Sequence, residues 1–553
     1  MALSVVFGII IGTFITNRFA GNRLNIINSG SNQLSNLLHI INDQYVDKVD
    51  LDSLVKKAIP QILSDLDPHS VYISAEDAQK ATDDLEGSFS GVGVEFTIRE
   101  DTIHIQNVIK NGPADRAGLL AGDKIVSVDD SVFVGEKVTD QEAMHRLKGP
   151  NGSKVKIGVV RYGQKAPLSF VVTRGEVVQH SIGATYMLDN KTGYIRIKTF
   201  GKMTYTELLI ALAQLSEQNA KNLVIDLRDN AGGYLQSAVQ IANEFLPNKK
   251  LIVYTQGQHS PRQDFYSDGH GSYQNIPLVV LINEASASAA EILAGALQDN
   301  DRATIIGRRS YGKGLVQQQL GFSDGSMIRL TVARYYTPSG RCIQKPYVAG
   351  DDNTYAQDLI DRYQHGEFFS QDSIKHTGPQ YHTGIGRVVY GGGGITPDIF
   401  VPEDTLNMTS YYRKAAMSGL ILQFAFQYTD NNRQRLNQFT DMQSLANYLV
   451  KQNIVDKFAT YAEGKGLKRR NLMIQKSHKL LERYIISRIV YNMLDEEAWT
   501  RYINQDDPVI KQALDVFERD AAFPTLVSDG KVAIATTFDY KTLHLNQSPF
   551  ITC

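Results

Sequence analysis

A buried strand that leads through a turn of small residues into a helix constrains this chain more than any other feature. The apolar run PLVVLI at 277–282 is typical of a buried strand, and EILAGAL at 291–297 indicates a helix. The turn between them carries Ser288. A serine in this position would expose its hydroxyl at the edge of a sheet, beside the free N–H groups of the first helical turn. The pattern predicts an α/β sheet with a nucleophile at the end of a strand.

A serine hydroxyl is a weak nucleophile at neutral pH, so Ser288 needs a base. A Ser-His-Asp triad is the ordinary solution, but the twelve histidines do not indicate one, and the nearest, His259 and His270, lie in a polar loop. Lys313 is the better candidate, because burial between its flanking glycines and a strand would lower its pKa and let the neutral amine accept the serine proton. Gln317 is expected on the same strand face, where its amide would orient the lysine nitrogen.

The segment DLRDNAGG at 226–233 offers donors for the charge that develops on an attacked carbonyl oxygen. It follows the strand-like run NLVIDL at 222–227, so the N–H group of Gly232 or Gly233 would be exposed at the end of that strand. The N–H group of Ala289, next to the serine, would be the second donor. Taken alone, the segment equally fits an ordinary strand-to-helix turn with an N-cap.

Composition and spacing exclude several other classes of protein. The 57 basic and 59 acidic side chains leave a net charge of −2, which gives no basic field for nucleic acid. Two cysteines in 553 residues provide neither a disulfide framework nor a zinc cluster. A Walker loop around Lys313 is excluded because Gly314 stands where Ser or Thr is required. His365, His376 and His382 are irregularly spaced in a polar stretch, so we expect no metal and no cofactor.

Changes in periodicity divide the chain into five segments. Residues 1–22 hold an uncharged apolar stretch that is typical of a signal-peptide core or a short membrane anchor. Residues 23–84 have helical spacing, and 85–176 show short alternating strands. Residues 177–405 alternate strands and helices, which predicts a largely parallel sheet. Residues 406–553 are predicted to form amphipathic helices followed by an irregular tail.

Residues 85–176 show a resemblance to a PDZ domain. It is carried by GPADRAGLLAGDKIVSVD at 112–129 and by the GVGV motif of Gly91, Val92, Gly93 and Val94. The GVGV motif resembles the loop in which PDZ domains hold a terminal carboxylate on backbone N–H groups, with apolar walls beside it. The resemblance implies that exposed C-termini of protein substrates, ending in an apolar residue, bind here.

Over residues 30–405 the motifs stand in the same order as in the C-terminal processing peptidases, also called tail-specific proteases. The motifs that carry this resemblance are DLRDNAGG at 226–233, LINEASASAAEILAGALQDNDRATIIG at 281–307, SYGKGLVQ at 310–317, TPSGRCIQ at 337–344 and GGGITPDI at 392–399. The resemblance implies catalytic roles for three residues and an oxyanion hole from others, namely Ser288, Lys313 and Gln317, and Gly232 or Gly233 with Ala289.

The resemblance implies an α/β multidomain fold with a ClpP/crotonase-like α/β protease core, an inserted PDZ domain, a helical N-terminal segment and a helical C-terminal extension. It implies a serine endopeptidase of the bacterial cell envelope, on the periplasmic side and anchored to the inner membrane by residues 1–22. In that family the PDZ position gates the site, so we expect a resting state with misaligned catalytic groups. The amphipathic helices at both ends favour a homodimer or higher oligomer.

Two alternatives to this interpretation belong to other functional classes. The first is a non-catalytic member of the same fold that only binds apolar ligands or peptides. The second is a PDZ scaffold or chaperone whose α/β part is structural. The complete set of Ser288, Lys313 and Gln317 argues against both, because a binding protein does not require all three.

Overall fold

The computed structural model describes residues 30–99, 101–135, 138–161, 163–376, 378–526 and 532–533. The expected anchor at residues 1–22 lies outside them. Within these described ranges, no helix has the length and apolar character that a membrane crossing needs. The chain divides into two compact units between Leu66 and Asp67.

In its described part, residues 30–66, the first unit contains two amphipathic helices, α1 (Gly30–Gln44) and α2 (Leu51–Ser64). Asp50 caps the start of α2, because its side chain accepts a hydrogen bond from the N–H group of Ser53. Helix α1 exposes three large apolar side chains, those of Leu34, Leu37 and Ile40. The helical spacing predicted for this part of the chain is therefore present, with apolar surface left uncovered.

The second unit begins with a turn, where the sequence predicts that residues 66–70 close the preceding helix, and continues with a short strand. Strand β1 (Val71–Ile73) precedes helix α3 (Ala75–Glu86) and pairs with a strand far along the chain. The helical pattern is interrupted because the Asp67 carboxylate accepts the N–H groups of His69 and Ser70 and the Ser70 hydroxyl, which folds the backbone into a turn. The turn was expected from Pro68, and among the described residues only β1 departs from the helical spacing predicted for residues 23–84.

Short strands follow, as the alternation in residues 85–176 predicts. The elements are β2 (Ser88–Gly91), β3 (Val94–Arg99), β4 (Thr102–Val108), α4 (Pro113–Ala117), β5 (Lys124–Val128), β6 (Ser131–Val132), α5 (Asp140–Leu147), β7 (Lys154–Val160), β8 (Leu168–Thr173) and β9 (Gly175–Val178). Their main sheet has the order β3-β4-β5-β7-β8, and β2 pairs with β9. Strand β3 is therefore an edge strand of this sheet.

The next part of the chain alternates strands and helices. The elements are β10 (Ile182–Met187), β11 (Thr192–Ile197), α6 (Thr204–Glu217), β12 (Asn222–Asp226), α7 (Leu235–Phe245), β13 (Leu251–Gln256), β14 (Gln263–Tyr266), β15 (Leu278–Ile282), α8 (Ala289–Asp299), β16 (Thr304–Gly307), β17 (Leu315–Gly321), β18 (Met327–Tyr336), α9 (Asp352–Gln364), β19 (Gln380–His382), β20 (Val388–Tyr390) and β21 (Ile399–Phe400). Six of them form a sheet of order β10-β11-β12-β15-β16-β21, in which only the β10–β11 pair is antiparallel. The largely parallel sheet is thus present.

A second sheet carries the segment that follows Lys313. Its order is β1-β18-β13-β14, with β17 paired to β18, and all its pairs are antiparallel. The alternation of strands and helices over residues 177–405 predicts one largely parallel sheet, but this segment lies outside that sheet. The chain reverses in a tight turn where Phe322 N–H donates to Ser326 O, so β17 pairs with its neighbour β18.

The last part of the chain is helical, as predicted after residue 406. The helices are α10 (Ser410–Met417), α11 (Leu420–Leu436), α12 (Met442–Val450), α13 (Ile454–Gly464), α14 (Asn471–Lys476), α15 (His478–Met493), α16 (Glu496–Asn504) and α17 (Pro508–Glu518). They pack around a continuous apolar core that includes Phe424, Phe458 and Ile485. A short pair of strands, β22 (Thr525–Leu526) and β23 (Val532–Ala533), follows them.

Candidate active site

Ser288 lies between β15 and α8, where the sequence predicts it, and its backbone is strained. Its φ of 56° and ψ of −115° are a conformation that costs a residue other than glycine about 1–3 kcal/mol. Ser286 anchors the turn, because its Oγ donates to Leu227 O at 2.8 Å and accepts from Asn283 N at 2.9 Å. The buried contacts around the turn hold Ser288 in this strained conformation at the N-terminus of a helix.

The turn of Gly232 and Gly233 packs directly against Ser288. A Cβ atom on Gly232 would lie 2.7 Å from Ser288 Cβ and 2.9 Å from Ala289 N, and its φ is 102°, so only glycine fits. The Gly232 N–H group donates to Asn230 Oδ1 at 2.8 Å. Among the described residues, the N–H groups of Gly233 and Ala289 have no acceptor. Of the two glycines that the sequence leaves open, Gly233 is the one with a free donor.

Asn230 is a buried residue that the sequence analysis did not single out. Besides accepting from Gly232, its side chain donates to Ile197 O at 2.8 Å, and its backbone oxygen accepts from Ala287 N at 2.9 Å. Strand β11, the glycine turn and the serine turn are therefore joined at one residue. Nothing in the periodicity of the sequence indicates such a residue.

Lys313 and Gln317 are in direct contact. Lys313 Nζ donates to Gln317 Oε1 at 2.9 Å, and Gln317 Nε2 donates to His69 O at 2.6 Å. Burial, with a smaller contribution from the Arg329 guanidinium, lowers the pKa of Lys313 to about 8. In the part of the chain that the structure describes, no hydrogen bond joins Lys313 Nζ to Ser288 Oγ. The amine therefore loses its proton more readily than an ordinary lysine does, and it is directed at the glutamine.

The Glu291 carboxylate connects the serine turn to the lysine turn. It is completely buried, and Oε2 accepts the N–H groups of Ser288 at 2.8 Å and Lys313 at 2.9 Å. Oε1 accepts the Gly312 N–H group at 2.7 Å and the Ser310 hydroxyl at 2.5 Å. Burial raises the pKa of Glu291 to about 7, although these hydrogen bonds oppose the shift. The only signal for it in the sequence was its place at the end of the SASAAE motif.

Tyr335 on β18 forms a second link between the two turns. Its hydroxyl donates to Lys313 O at 2.6 Å and lies 3.2 Å from Ser288 O. The ring is buried, so this link is shielded from water. Tyr335 was also missed by the sequence analysis, because a tyrosine in a β-strand ordinarily indicates core packing.

The four residues of the GVGV motif form the turn into edge strand β3. Val92 O accepts from Ala114 N at 2.7 Å, and Gly93 O accepts from Ile109 N at 3.1 Å. The N–H groups of Val92 and Gly93 have no acceptor among the described residues. The hydrogen bonds of Gly91, Val92, Gly93 and Val94 stay within the same β-domain, so the structure does not join them to the Ser288 turn.

No group of three or more His, Cys, Asp and Glu side chains in the described ranges could hold a metal ion. His365, His376 and His382 belong to no such group. His376 stacks on Tyr390 with 3.5 Å between ring centroids, and burial lowers the pKa of His376. That position is explained by aromatic packing.

Comparison with known families agrees with this geometry. The sequence profile of peptidase family S41 matches residues 191–354, and that of a PDZ domain matches residues 90–172. A family of unknown function, DUF8443, matches residues 411–495, within the helices that follow the α/β part. The α/β part with the serine turn is therefore an S41 protease fold, and the β-domain is a PDZ domain.

Several curated relatives match more than half of the chain. A carboxy-terminal-processing protease of Bartonella bacilliformis is 38% identical over 309 residues, which are 55% of this chain and 70% of the relative. The carboxy-terminal processing protease CtpB of Bacillus subtilis is 34% identical over 339 residues, 61% and 69% of the two chains. A Synechocystis carboxyl-terminal-processing protease is 37% identical over 302 residues, 53% and 70%. The chain belongs to the carboxy-terminal processing protease family and is a serine-type peptidase with a PDZ domain.

Proposed function

We propose that Ser288 is the nucleophile of this protease, that Lys313 is its general base and that Gln317 orients the lysine. The observation that carries the proposal is the Glu291 carboxylate, which holds the backbone N–H groups of Ser288 and Lys313 on one oxygen. The strained backbone of Ser288 and the lowered pKa of Lys313 support the same assignment.

In the acylation step, the neutral Lys313 amine accepts the Ser288 proton as Oγ attacks the substrate carbonyl carbon. The oxyanion then accepts hydrogen bonds from the N–H groups of Gly233 and Ala289. The lysine ammonium gives its proton to the leaving amine, and an ester remains on Oγ. Water that Lys313 deprotonates attacks this ester and releases the new C-terminus. In this structure the Lys313 amine forms a hydrogen bond to Gln317. Acylation therefore requires the Lys313 side chain to turn so that the lone pair of Nζ faces Ser288 Oγ.

The substrate is proposed to reach this site through the PDZ domain, which would bind exposed apolar C-termini at the GVGV turn. The free N–H groups of Val92 and Gly93 support this role, since a carboxylate needs such donors. We further propose a cell-envelope enzyme on the periplasmic side, anchored by residues 1–22. The exposed apolar side chains of α1 support self-association as a homodimer or higher oligomer.

A fluorophosphonate probe, which reacts with activated serines, tests the nucleophile. We expect it to label Ser288 in the full chain, and cleavage of an unfolded reporter that ends in apolar residues to fall in proportion to labelling. Peptide mass mapping locates the label, and Ser288→Ala is the control that should take up none. Undiminished cleavage after complete labelling of Ser288, or a label on another serine with the same loss of cleavage, would refute the assignment.

The dependence of kcat/KM on pH tests the roles of Lys313 and Glu291. Because the base must be neutral, kcat/KM is expected to rise about tenfold per pH unit below about 8 and to level off above it. Below about pH 7 protonation of Glu291 adds a second step, so the slope should double there. Circular dichroism across the same range checks that the fold is retained. A profile that is flat between pH 6 and 9 would contradict a lysine base.

A further inference from the structure

The C-terminal helices, residues 410–518, are here called the helical domain, and they are fixed to the protease core by ion pairs. Arg228 Nη1 lies 2.6 Å from Asp507 Oδ2, and less than a fifth of either side chain is exposed. Lys198 Nζ lies 2.6 Å from Glu496 Oε2. Shielded pairs of this kind are strongly disrupted when one partner is removed. The helical domain therefore has a defined position on the core.

The same domain packs against the outer face of the PDZ sheet at strand β3. Successive β3 side chains alternate between the two faces of the sheet, and the inner ones, which pack against the PDZ core, are Val94, Phe96 and Ile98. The outer ones are Glu95, Thr97 and Arg99. The Arg99 guanidinium lies over the Phe426 ring at 4.7 Å, and the His104 ring of β4 meets the same phenylalanine at 5.4 Å.

A close backbone contact strengthens this interface. Gly122 precedes β5 with a φ of 93°, and a Cβ atom on it would lie 2.7 Å from Asp430 Oδ1 and 3.1 Å from Arg433 Nε. The side-chain ends of Asp430 and Arg433 on helix α11 therefore lie directly against the PDZ backbone at position 122. The helical domain is therefore in direct contact with the PDZ domain.

Next to the start of β3 the helical domain contributes Tyr491. Its hydroxyl donates to Glu95 Oε2 at 2.7 Å, while Glu95 remains exposed to solvent. The Tyr491 ring meets the edge of Trp499 at 6.1 Å, and Trp499 lies under the Arg196 guanidinium at 5.2 Å. Packing against Trp499 therefore fixes the Tyr491 side chain, and the Tyr491 hydroxyl holds the Glu95 carboxylate in one orientation.

Strand β3 pairs only with β4 in the described part of the chain, so its other edge offers backbone groups to an added strand. A peptide that places its terminal carboxylate at the GVGV turn would lie along this edge. Its last side chain would share the inner face with Val94, because side chains of paired strands face the same way. The next-to-last side chain would then face outwards, beside Glu95.

We propose that the helical domain forms the outer wall of the peptide groove, and that Glu95, oriented by Tyr491, selects substrates with Lys or Arg next to last. The inference rests on the proposed binding of C-termini by the PDZ domain and deepens it. A cationic side chain at that position meets a carboxylate oxygen that is still free, which gives a charge-assisted hydrogen bond. An acidic side chain there meets repulsion.

The test uses full-length protein with Ser288→Ala, so that bound peptides are not cleaved. Fluorescent peptides that differ only in ending Lys-Val, Gln-Val or Glu-Val are titrated and followed by anisotropy at low salt. We expect Lys-Val to bind about tenfold more tightly than Glu-Val, the effect of one charge-assisted contact. Adding Glu95→Gln should bring the two within about twofold, and Glu95→Lys should reverse the order.

Two further variants distinguish the contribution of the outer wall from a general effect of acidic charge on peptide binding. Tyr491→Phe removes the hydroxyl that orients the carboxylate, so the preference should fall by about two- to threefold. Asp130→Asn removes an acidic charge elsewhere on the PDZ domain, where the Asp130 side chain is 75% exposed, and should leave the preference unchanged. Melting temperatures of all variants confirm that each remains folded.

Each outcome of this experiment supports or overturns a stated part of the inference. Equal affinity for the three peptides would overturn the inference and leave the proposed binding of C-termini intact. A preference for Lys-Val that survives Glu95→Gln would overturn the role of Glu95. If Tyr491→Phe left the preference unchanged, the helical domain would have no part in selecting the peptide. If none of the peptides bound, both the inference and the proposed role of the PDZ domain would be wrong.

Discussion

Replacing Lys313 with arginine is expected to abolish peptide cleavage, although the positive charge is retained. A guanidinium keeps its proton at any pH that the protein survives, so it cannot accept the proton of Ser288. We expect kcat to fall by at least about 10³-fold in Lys313→Arg and Lys313→Ala alike, the upper part of the range for losing a general base. Ser288→Ala should be equally inactive, and the double variant should lose no more. Cleavage of an unfolded reporter that ends in apolar residues measures all four.

Lys202→Arg is the matched control for this exchange, because Lys202 is exposed and pairs with Glu86 at the surface. It should cleave the reporter as the intact protein does. If Lys313→Arg kept more than about a tenth of the activity, the lysine would act through its charge and not as a base. Cleavage that survived Ser288→Ala would show that another residue is the nucleophile.

The serine turn is the part of this site that the sequence predicted best. The two patterns that flank it, an apolar strand before and a helical run after, are local, because each is visible within a few residues. The contact between Lys313 and Gln317 was also expected, but for a different geometric reason. Lys313 precedes β17, and a bulge lies between Val316 and Gln317. The two side chains therefore meet through the bulge and not along one face of a regular strand.

Contacts between distant parts of the chain could not be predicted in the same way. Strand β1 has three residues, too few to show an alternation, and it is fixed only by pairing with β18. Glu291 and Asn230 are polar residues in a buried environment, and each was placed by several backbone groups from other segments. The sequence shows which residues are polar, but it does not show which donors will surround them.

The contact between the PDZ domain and the helical domain could not be predicted from the sequence either. Glu95 and Tyr491 are 396 residues apart, and neither belongs to a motif. The amphipathic pattern after residue 406 predicted helices and an apolar core, because periodicity reports burial. It carried no information about which exposed residues of those helices would meet β3. The function of this domain is therefore inferred from the structure.

Replacing Glu291 with glutamine is expected to lower kcat by at least about 100-fold, the effect of a misplacement near 1 Å in the reacting groups, while the fold is retained. Glutamine supplies one acceptor oxygen and one NH₂ group, so at least one of the three backbone N–H groups around Glu291, those of Ser288, Gly312 and Lys313, would face another donor. The link between the serine turn and the lysine turn would then be weakened. Glu291 is a positioning residue in this account, because it contacts the backbone of the catalytic residues and not the substrate.

The fold should survive because two effects on the free energy of unfolding oppose each other. The raised pKa means that the folded protein binds this proton more tightly than the unfolded chain does. The ionised carboxylate therefore lowers the free energy of unfolding as the pH rises from about 4.5 to about 7. Glutamine has no such cost but loses hydrogen bonds, so we expect a net change within about 2 kcal/mol at pH 8, measured by urea unfolding.

The pH profile separates this positioning role from a purely structural one. Glu291→Gln has no carboxylate to titrate, so its kcat/KM should show a single step where the intact protein shows two. That step, from Lys313, should move below 8, because the Glu291 charge that raises the pKa of Lys313 is gone. Glu284→Gln is the matched control, because Glu284 pairs with Arg308 at 2.8 Å on the same turn with 21% of its side chain exposed. It should keep kcat within about twofold and both steps of the profile. If Glu291→Gln kept full kcat, or if its kcat/KM still fell with the doubled slope at low pH, the carboxylate would not be what aligns the serine with the lysine.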